Sequence, residues 1–447
     1  VRTPRRIAAK TPGDVAAKKA TVVAVDAPVQ VLAPRLARNP DLALFCPSGG
    51  DAVRRLESTI WRPNVPALLP QPDPDGLLEY SVVYTDRALN HMSRRFQGVM
   101  KDISRILKTV YNGTAAIVVP GSGTFGMEAV ARQFAVDKKC LVIRSGWFSF
   151  RWTQILEMGR IASESIVMAA SPVGDEAPAP FAPPPIEEVV ARIHAEKPAV
   201  VFAPHVETAS GMILPNDYLQ AIGQAVRAVD GLFVLDCVAS GAIWVDMVAN
   251  DVDVLISAPQ KGWTGSPCCA LVVLGARARA RIDDTMSSSF ACDLKKWLQI
   301  MEAFENGGHA YHATMPTDAL AALRDTMRET ENYGFERVRK EQQELGVRVR
   351  ALLHSRGFRS VAADGFQAPG VVVSYTDDPD IQSGKKFAAI GVQIAAGVPL
   401  QCNEPVDFRT FRIGLFGLEK LHNPDRTVLR LADALDAVSR IGPESAS

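Results

Sequence analysis

Apolar residues fall along this chain in short runs, and from about residue 115 those runs alternate with amphipathic stretches. Residues 115–119, Ala-Ala-Ile-Val-Val, are continuously apolar and are followed by Pro120-Gly121, as expected of a strand buried on both faces. Comparable runs occupy 140–143, 199–202, 232–235, 252–257 and 270–274. Between them, 127–134, 154–158 and 218–226 repeat apolar positions at helical spacing. Strands alternating with helices in this way predict an α/β fold, a parallel sheet with helical crossovers. Residues 171–185, dense in proline and alanine, predict a surface loop. A single long helix, charged on one side, is predicted over 318–354, an element suited to crossing between domains. Short strands at 370–373 and 411–413 and a closing helix at 426–438 then predict a smaller α/β domain. The pattern divides into an N-terminal arm (1–75) whose first part is expected to be disordered, a large domain (76–325) and a small C-terminal domain (326–447).

Composition narrows the possible partners. Lysine plus arginine equals aspartate plus glutamate at 49 each, so no charge excess points to nucleic acid or to a membrane surface. No apolar run reaches the roughly 18 residues that suggest a membrane-spanning helix. The 7 cysteines are scattered, odd in number and without a CxxC pair, which argues against a disulfide framework or a structural metal site and favours a reducing cytoplasm. Residues 1–20 are rich in Arg, Lys, Ala and Thr and lack the apolar core of a secretory signal. A transit peptide is conceivable there; a disordered arm or an upstream extension is the favoured reading.

Candidate chemistry gathers where the apolar runs end. Residues 252–257 lead into Ala258-Pro259-Gln260-Lys261-Gly262-Trp263-Thr264-Gly265. Desolvation disfavours an ammonium ion, so Lys261 tends toward a free amine able to form a Schiff base. The alternative is a lysine whose stem lies on the strand and whose head stays in water. The run 232–235 ends on Asp236, an acid placed to keep a cofactor's ring nitrogen protonated. Residues 115–119 lead into Gly121-Ser122-Gly123-Thr124-Phe125-Gly126 and a helix, where backbone amides and the helix N-terminus could cradle a phosphate. A plain tight turn or a dinucleotide site fits the same residues, although the ribose-binding acid of the latter is not evident. The run 199–202 leads into Pro204-His205-Val206-Glu207-Thr208-Ala209-Ser210-Gly211, and 140–143 into Ser145-Gly146-Trp147-Phe148-Ser149-Phe150-Arg151. The aromatic rings of the latter suit either stacking on a flat ligand or core packing. Four strand ends thus carry a phosphate turn, a ring stacker, an acid and a lysine.

In this order the segments GSGT, GWFSFR, HVETASG, LDCVASG and SAPQKGW resemble the class V aminotransferases, among them alanine–glyoxylate and serine–pyruvate aminotransferases. The resemblance covers residues 113–328, with a weaker echo around Arg412. It implies a fold-type I pyridoxal 5'-phosphate-dependent transferase, with a large domain built on a mainly parallel seven-stranded sheet and a smaller C-terminal α/β domain. Carried over residue by residue, it implies that Lys261 bears the cofactor aldehyde and shuttles the proton, while Asp236 pairs with the ring nitrogen. Phe148 and Val238 would contact the two ring faces, and Thr208 would bond near the phenolic oxygen. Ser122, Gly123, Thr124 and Gln260 would hold the phosphate. Tyr311 and Thr314, in Ala310-Tyr311-His312-Ala313-Thr314, would reach the phosphate of a neighbouring subunit, implying a homodimer with shared sites. Arg412 would fork onto the α-carboxylate of an amino acid.

The expected activity is transfer of an amino group from a small amino acid (alanine-, serine- or glycine-like) to a small 2-oxo acid, glyoxylate or pyruvate. A second substrate carboxylate would need another cation, for which Arg151 and Arg87 are candidates. The family's Gly-Pro-Gly-Pro-like turn is missing; its region reads Leu78-Glu79-Tyr80-Ser81-Val82-Val83-Tyr84 and runs on to Arg87, Asn90 and His91. These polar residues either line the substrate pocket or lead into a helix over 94–110, the latter being favoured. A lyase or cysteine desulfurase on the same fold is the alternative; such desulfurases usually have histidine before the lysine, where Gln260 stands, and a mobile reactive cysteine. Cys292 has only Lys295 and Lys296 near it in sequence. A nucleotide-binding or regulatory protein with an inert Lys261 is a further alternative, which leaves the other strand-end residues unexplained.

Overall fold

Helix α1 (Arg94–Tyr111) is the first long element of the computed structural model, which describes residues 71–174 and 177–441. The expected disordered start of the N-terminal arm, and Cys46, lie outside the described residues. Ser93 caps α1 by accepting from the Phe96 amide, and Asn112 ends it in the left-handed region at φ 54°. Such an N-cap contributes about 1 kcal/mol. Phe96, Val99, Met100, Ile103, Ile106 and Leu107 recur at helical spacing and are buried, so α1 is held mainly by its apolar face.

Seven strands follow: β1 (Ala115–Pro120), β2 (Lys139–Arg144), β3 (Glu164–Ala169), β4 (Val200–Pro204), β5 (Leu232–Asp236), β6 (Val254–Ser257) and β7 (Cys269–Leu274). They form one sheet in the order β1-β7-β6-β5-β4-β2-β3. β2, β3, β4, β5 and β6 run parallel, whereas β7 is antiparallel to both β1 and β6. The mainly parallel seven-stranded sheet is as expected. Central strands covered on both faces read as unbroken apolar runs, and every residue of β5, β6 and β7 is buried. The edge strand β3 is mostly half-exposed, and its mixed Glu-Ser-Ile-Val-Met-Ala sequence left it unread.

The crossovers include α2 (Gly123–Phe134), α3 (Trp147–Met158), α4 (Ile186–Glu196) and α5 (Asn216–Ala228), and α6 (Leu294–Glu305) follows the sheet. In α2 a Cβ on Gly126 would lie 2.4 Å from Ala270 Cβ, so only glycine lets this helix settle onto β7. The predicted loop 171–185 contains a two-residue ribbon, Ser171–Pro172 paired with Phe181–Ala182.

The single helix predicted over 318–354 is two helices, α7 (Thr317–Tyr333) and α8 (Phe335–Ser355). Gly334 separates them at φ 102° and ψ 116°, a conformation an L-residue rarely adopts. The break turns Phe335 edge-on to Trp244, whose indole N–H donates to the Phe335 carbonyl at 3.2 Å. Beyond α8 lies a three-stranded antiparallel sheet of β8 (Val371–Tyr375), β9 (Ala395–Ala396) and β10 (Thr410–Gly414), with β10 central. The closing helix α9 (Pro424–Arg440) shares an apolar cluster with α8 through Val338, Leu345, Val349, Leu435 and Val438.

Candidate active site

Parallel strands gather their carboxyl ends on one edge, and ligands of such sheets bind there. Pro204 of β4, Asp236 of β5 and Ile256 of β6 lie side by side across three strands. That register brings together the segment 205–211, Asp236 and the turn holding Lys261.

Asp236 is 7% exposed, and its Oδ1 accepts from the Val238 amide at 2.9 Å. Burial pushes its carboxyl up to about 7; nearby Glu207 adds to the rise, while the Val238 amide, Arg151 and Lys261 oppose it. An acid so placed gains from a cation beside it. Lys261, half-buried in the turn after β6, is pushed below the usual lysine range by burial and then by Arg412, with Asp236 pulling the other way. Its Nζ lies 4.9 Å from the centre of the Phe416 ring.

Ser122 precedes α2 in an extended conformation, and its hydroxyl caps no helix amide. Gly121, at φ 123°, donates its amide to the Cys268 carbonyl at 3.0 Å, fixing the turn to the chain entering β7. A Cβ on Gly123 would stand 2.9 Å from Val238 Cγ2, so the N-terminus of α2 reaches the residues after Asp236 only as glycine. Thr124 Oγ1 accepts from Arg151 at 2.9 Å. The Arg151 guanidinium carbon lies 4.9 Å from the Phe148 ring centre, and that of Arg412 lies 5.6 Å from it. Arg412, on β10, also donates through Nε to the Ala396 carbonyl at 2.8 Å.

Glu207, named only as part of its segment in the sequence reading, organises this region. Its carboxylate accepts from the amides of Phe148 (3.2 Å), Ser149 (2.8 Å) and Ala209 (2.9 Å) and from Ser149 Oγ (2.7 Å). It thereby pins the first turn of α3, and with it the Phe148 ring, to the end of β4. Burial raises its carboxyl above the ordinary range against these four donors. His205 accompanies it, with Nδ1 2.7 Å from Ser240 Oγ, and burial pushes it down to about 4, so the ring is neutral. The signal for Glu207 was a lone acid at a strand end; its partners are far off in sequence.

Thr208 is buried beside Glu207, Val238 is half-buried and Gln260 is exposed. Tyr311 and Thr314 are bonded to each other at 2.9 Å, and the 54%-exposed Tyr311 stands 5.7 Å, centre to centre, from the His91 ring. Tyr84 Oη bonds the Met315 carbonyl at 3.3 Å, and Asn90 bonds Glu79 at 2.7 Å. The helix expected after them begins at Arg94. Cys292 is half-buried with its thiol pushed up by burial, the opposite of what a reactive desulfurase thiol needs. Among the described residues no group of three or more His, Cys, Asp and Glu could hold a metal ion.

The donor set suits pyridoxal phosphate. A buried acid stands beside a lysine held toward its free amine, the Phe148 ring lies against Arg151, whose charge acts on that acid, and a glycine at a helix N-terminus leaves room at Val238 for close approach. Together with the sheet this defines a fold-type I pyridoxal phosphate transferase. The class V aminotransferase model matches residues 179–406, and the chain belongs to that family. It is an aminotransferase, and pyridoxal phosphate is its cofactor. The 2-aminoethylphosphonate–pyruvate transaminase of Syntrophobacter fumaroxidans is 26% identical over 355 residues, covering 76% of this chain and 89% of that protein. The alanine–glyoxylate aminotransferase of Rattus norvegicus is 24% identical, covering 78% and 82% respectively. Among solved structures, alanine–glyoxylate aminotransferase from Nostoc sp. superposes with a TM-score of 0.67 at 21% identity, covering 79% of this chain and 89% of that one.

Proposed function

We propose that the chain moves an amino group from a small amino acid of the alanine, serine or glycine type to glyoxylate or pyruvate, with Lys261 as the amine that takes the cofactor aldehyde in a Schiff base. The carrying observation is the juxtaposition of Asp236 and Lys261 at neighbouring strand ends, each perturbed by burial and acting on the other. Relatives named for pyruvate or glyoxylate acceptors support the substrate class. When bound, the cofactor supplies an electron sink for the bond broken at the substrate Cα.

The remaining roles belong to side chains. Asp236 faces the ring nitrogen, and its ionised form is favoured beside that cation. Lys261, once free, would take the proton from the substrate Cα as a general base and then give it up as a general acid, a task for which its depressed basicity suits it. Phe148 and Val238 border the ring, and Thr208 bonds near the phenolic oxygen. Ser122, Gly123, Thr124 and Gln260 hold the phosphate. Arg412 binds the α-carboxylate; its guanidinium is already partly desolvated, so less is lost when a carboxylate pairs with it.

We assign Tyr311 and Thr314 to the site of a second copy, in a homodimer with shared sites. The exposure of Tyr311 and its bond to Thr314 support this, since both face outward in one chain. Residues 76–325 act as the cofactor domain and 326–447 as the smaller domain, a reading supported by the separate apolar cluster around α8 and α9. Free thiols at Cys140, Cys237, Cys268, Cys269, Cys292 and Cys402 support a reducing, cytoplasmic setting.

Absorbance spectroscopy with single amino acids and no oxo acid tests the reaction. A yellow protein that bleaches with one donor and regains colour with glyoxylate or pyruvate bears the proposal out. Steady release of ammonia or sulfide without an acceptor would instead make it a lyase.

A further inference from the structure

Phe416 fills a slot bounded by glycines from three places in the chain. A Cβ on Gly241 or on Gly370 would come within 3.2 Å of its Cε1, and one on Gly414 within 3.7 Å of its Cδ2. The slot adjoins the lysine turn, because a Cβ on Gly262 would lie 2.1 Å from the Gly241 carbonyl oxygen. The Leu415 amide donates to the Gly370 carbonyl at 2.9 Å, anchoring the backbone just before the ring.

The face of that ring meets Lys261 Nζ at 4.9 Å. An aromatic face is the negative pole of the ring quadrupole and attracts an ammonium ion, the more so when both are out of water. Phe416 also follows Arg412 by one short step beyond β10, so the lysine contact and the proposed carboxylate anchor ride on one segment.

We propose that Phe416 is a positioning residue for Lys261, its ring face holding the protonated ε-nitrogen whenever that nitrogen is not joined to the cofactor. The proposal rests on Lys261 being the cofactor lysine. Between taking the Cα proton and giving it back, Lys261 is an ammonium ion, and the ring keeps it inside the site.

The test is trace acetylation of the apoprotein with acetic anhydride across a pH series, reading Lys261 by peptide mass spectrometry against surface lysines of the same digest. Phe416→Leu and Phe416→Met keep an apolar filling but lose the ring quadrupole; either variant with wild-type circular dichroism decides the question. Lys261 should then label roughly two- to tenfold faster than in wild type near neutrality and converge with it at high pH, where the amine is free in both. Phe416→Tyr should keep the wild-type profile. Equal labelling in wild type and the aliphatic variants overturns the role of Phe416, as does an increase uniform with pH, which mere opening of the site would give. Added pyridoxal phosphate should protect Lys261 in wild type. Loss of that protection would overturn the reading of Lys261 itself, whereas protection with unchanged labelling removes only Phe416.

Discussion

Asp236 and Tyr311 are two proposed cofactor contacts with opposite surroundings. Asp236 ends a strand buried along its whole length and is held by a backbone amide. Tyr311 lies in a non-helical segment between α6 and α7, more than half exposed, its hydroxyl satisfied by a near neighbour in sequence. The sheet fixes the first kind of group through register, because three adjacent strands leave Asp236 no freedom to move. The second kind needs another surface to give it work. On the proposed reading, the groups that act on the bond-breaking atoms are held at the ends of the sheet strands, and the rim carries groups for a second copy to complete.

The largest effect expected is at the lysine. Lys261→Ala should lower kcat/KM about a hundred- to ten-thousandfold, the range for loss of a general acid–base, in steady-state assays with the donor named by spectroscopy. Arg412→Ala should cost about ten- to a hundredfold in kcat/KM, and Arg412→Lys should recover little, since a point charge cannot replace the fork. Mixing inactive Lys261→Ala with an inactive Tyr311→Ala, Thr314→Ala double variant, under conditions that exchange subunits, should restore activity. Failure to do so would confine the rim to its own chain and break the comparison.

Smaller effects sharpen the buried side. Glu207→Gln would turn an NH2 group toward amide donors, leaving buried groups unpaired at about 1–3 kcal/mol each. A lower Tm is expected, together with weaker cofactor binding as Phe148 loosens. The slightest effect concerns pH. An acid raised from 3.8 to about 7 in the folded apoprotein binds more protons there than when unfolded, so its contribution to stability is full below about 4 and is lost as pH rises toward 7. Differential scanning fluorimetry of apoprotein should show wild type losing Tm between about pH 4 and pH 7, relative to Asp236→Asn, by the share Asp236 carries. Parallel curves would mean that Asp236 is not perturbed as its burial implies.

How much of this was legible in the sequence follows from the same contrast. Asp236 closes an apolar run and Lys261 follows another by a short turn, a pattern that local order alone exposes. The role of Glu207 does not stand out, because its donors Phe148 and Ser149 meet it only after β2 and β4 pair. Phe416 was invisible for a similar reason: its slot is assembled from Gly241, Gly370 and Gly414. The strand β3 lacks a clear pattern because its edge of the sheet is only partly covered, whereas β1, at the opposite edge, is buried and reads as an apolar run. The break at Gly334 is hidden in the sequence because a glycine within a helical pattern is often tolerated, and here it serves the packing of Phe335 on Trp244.

The most direct measurement is borohydride reduction of the yellow holoprotein followed by peptide mapping. A pyridoxyl mass on the peptide containing Lys261, absent from Lys261→Ala, is the expected result. The tag on any other lysine, or none on a coloured protein, would contradict the placement of the cofactor at the ends of β5 and β6.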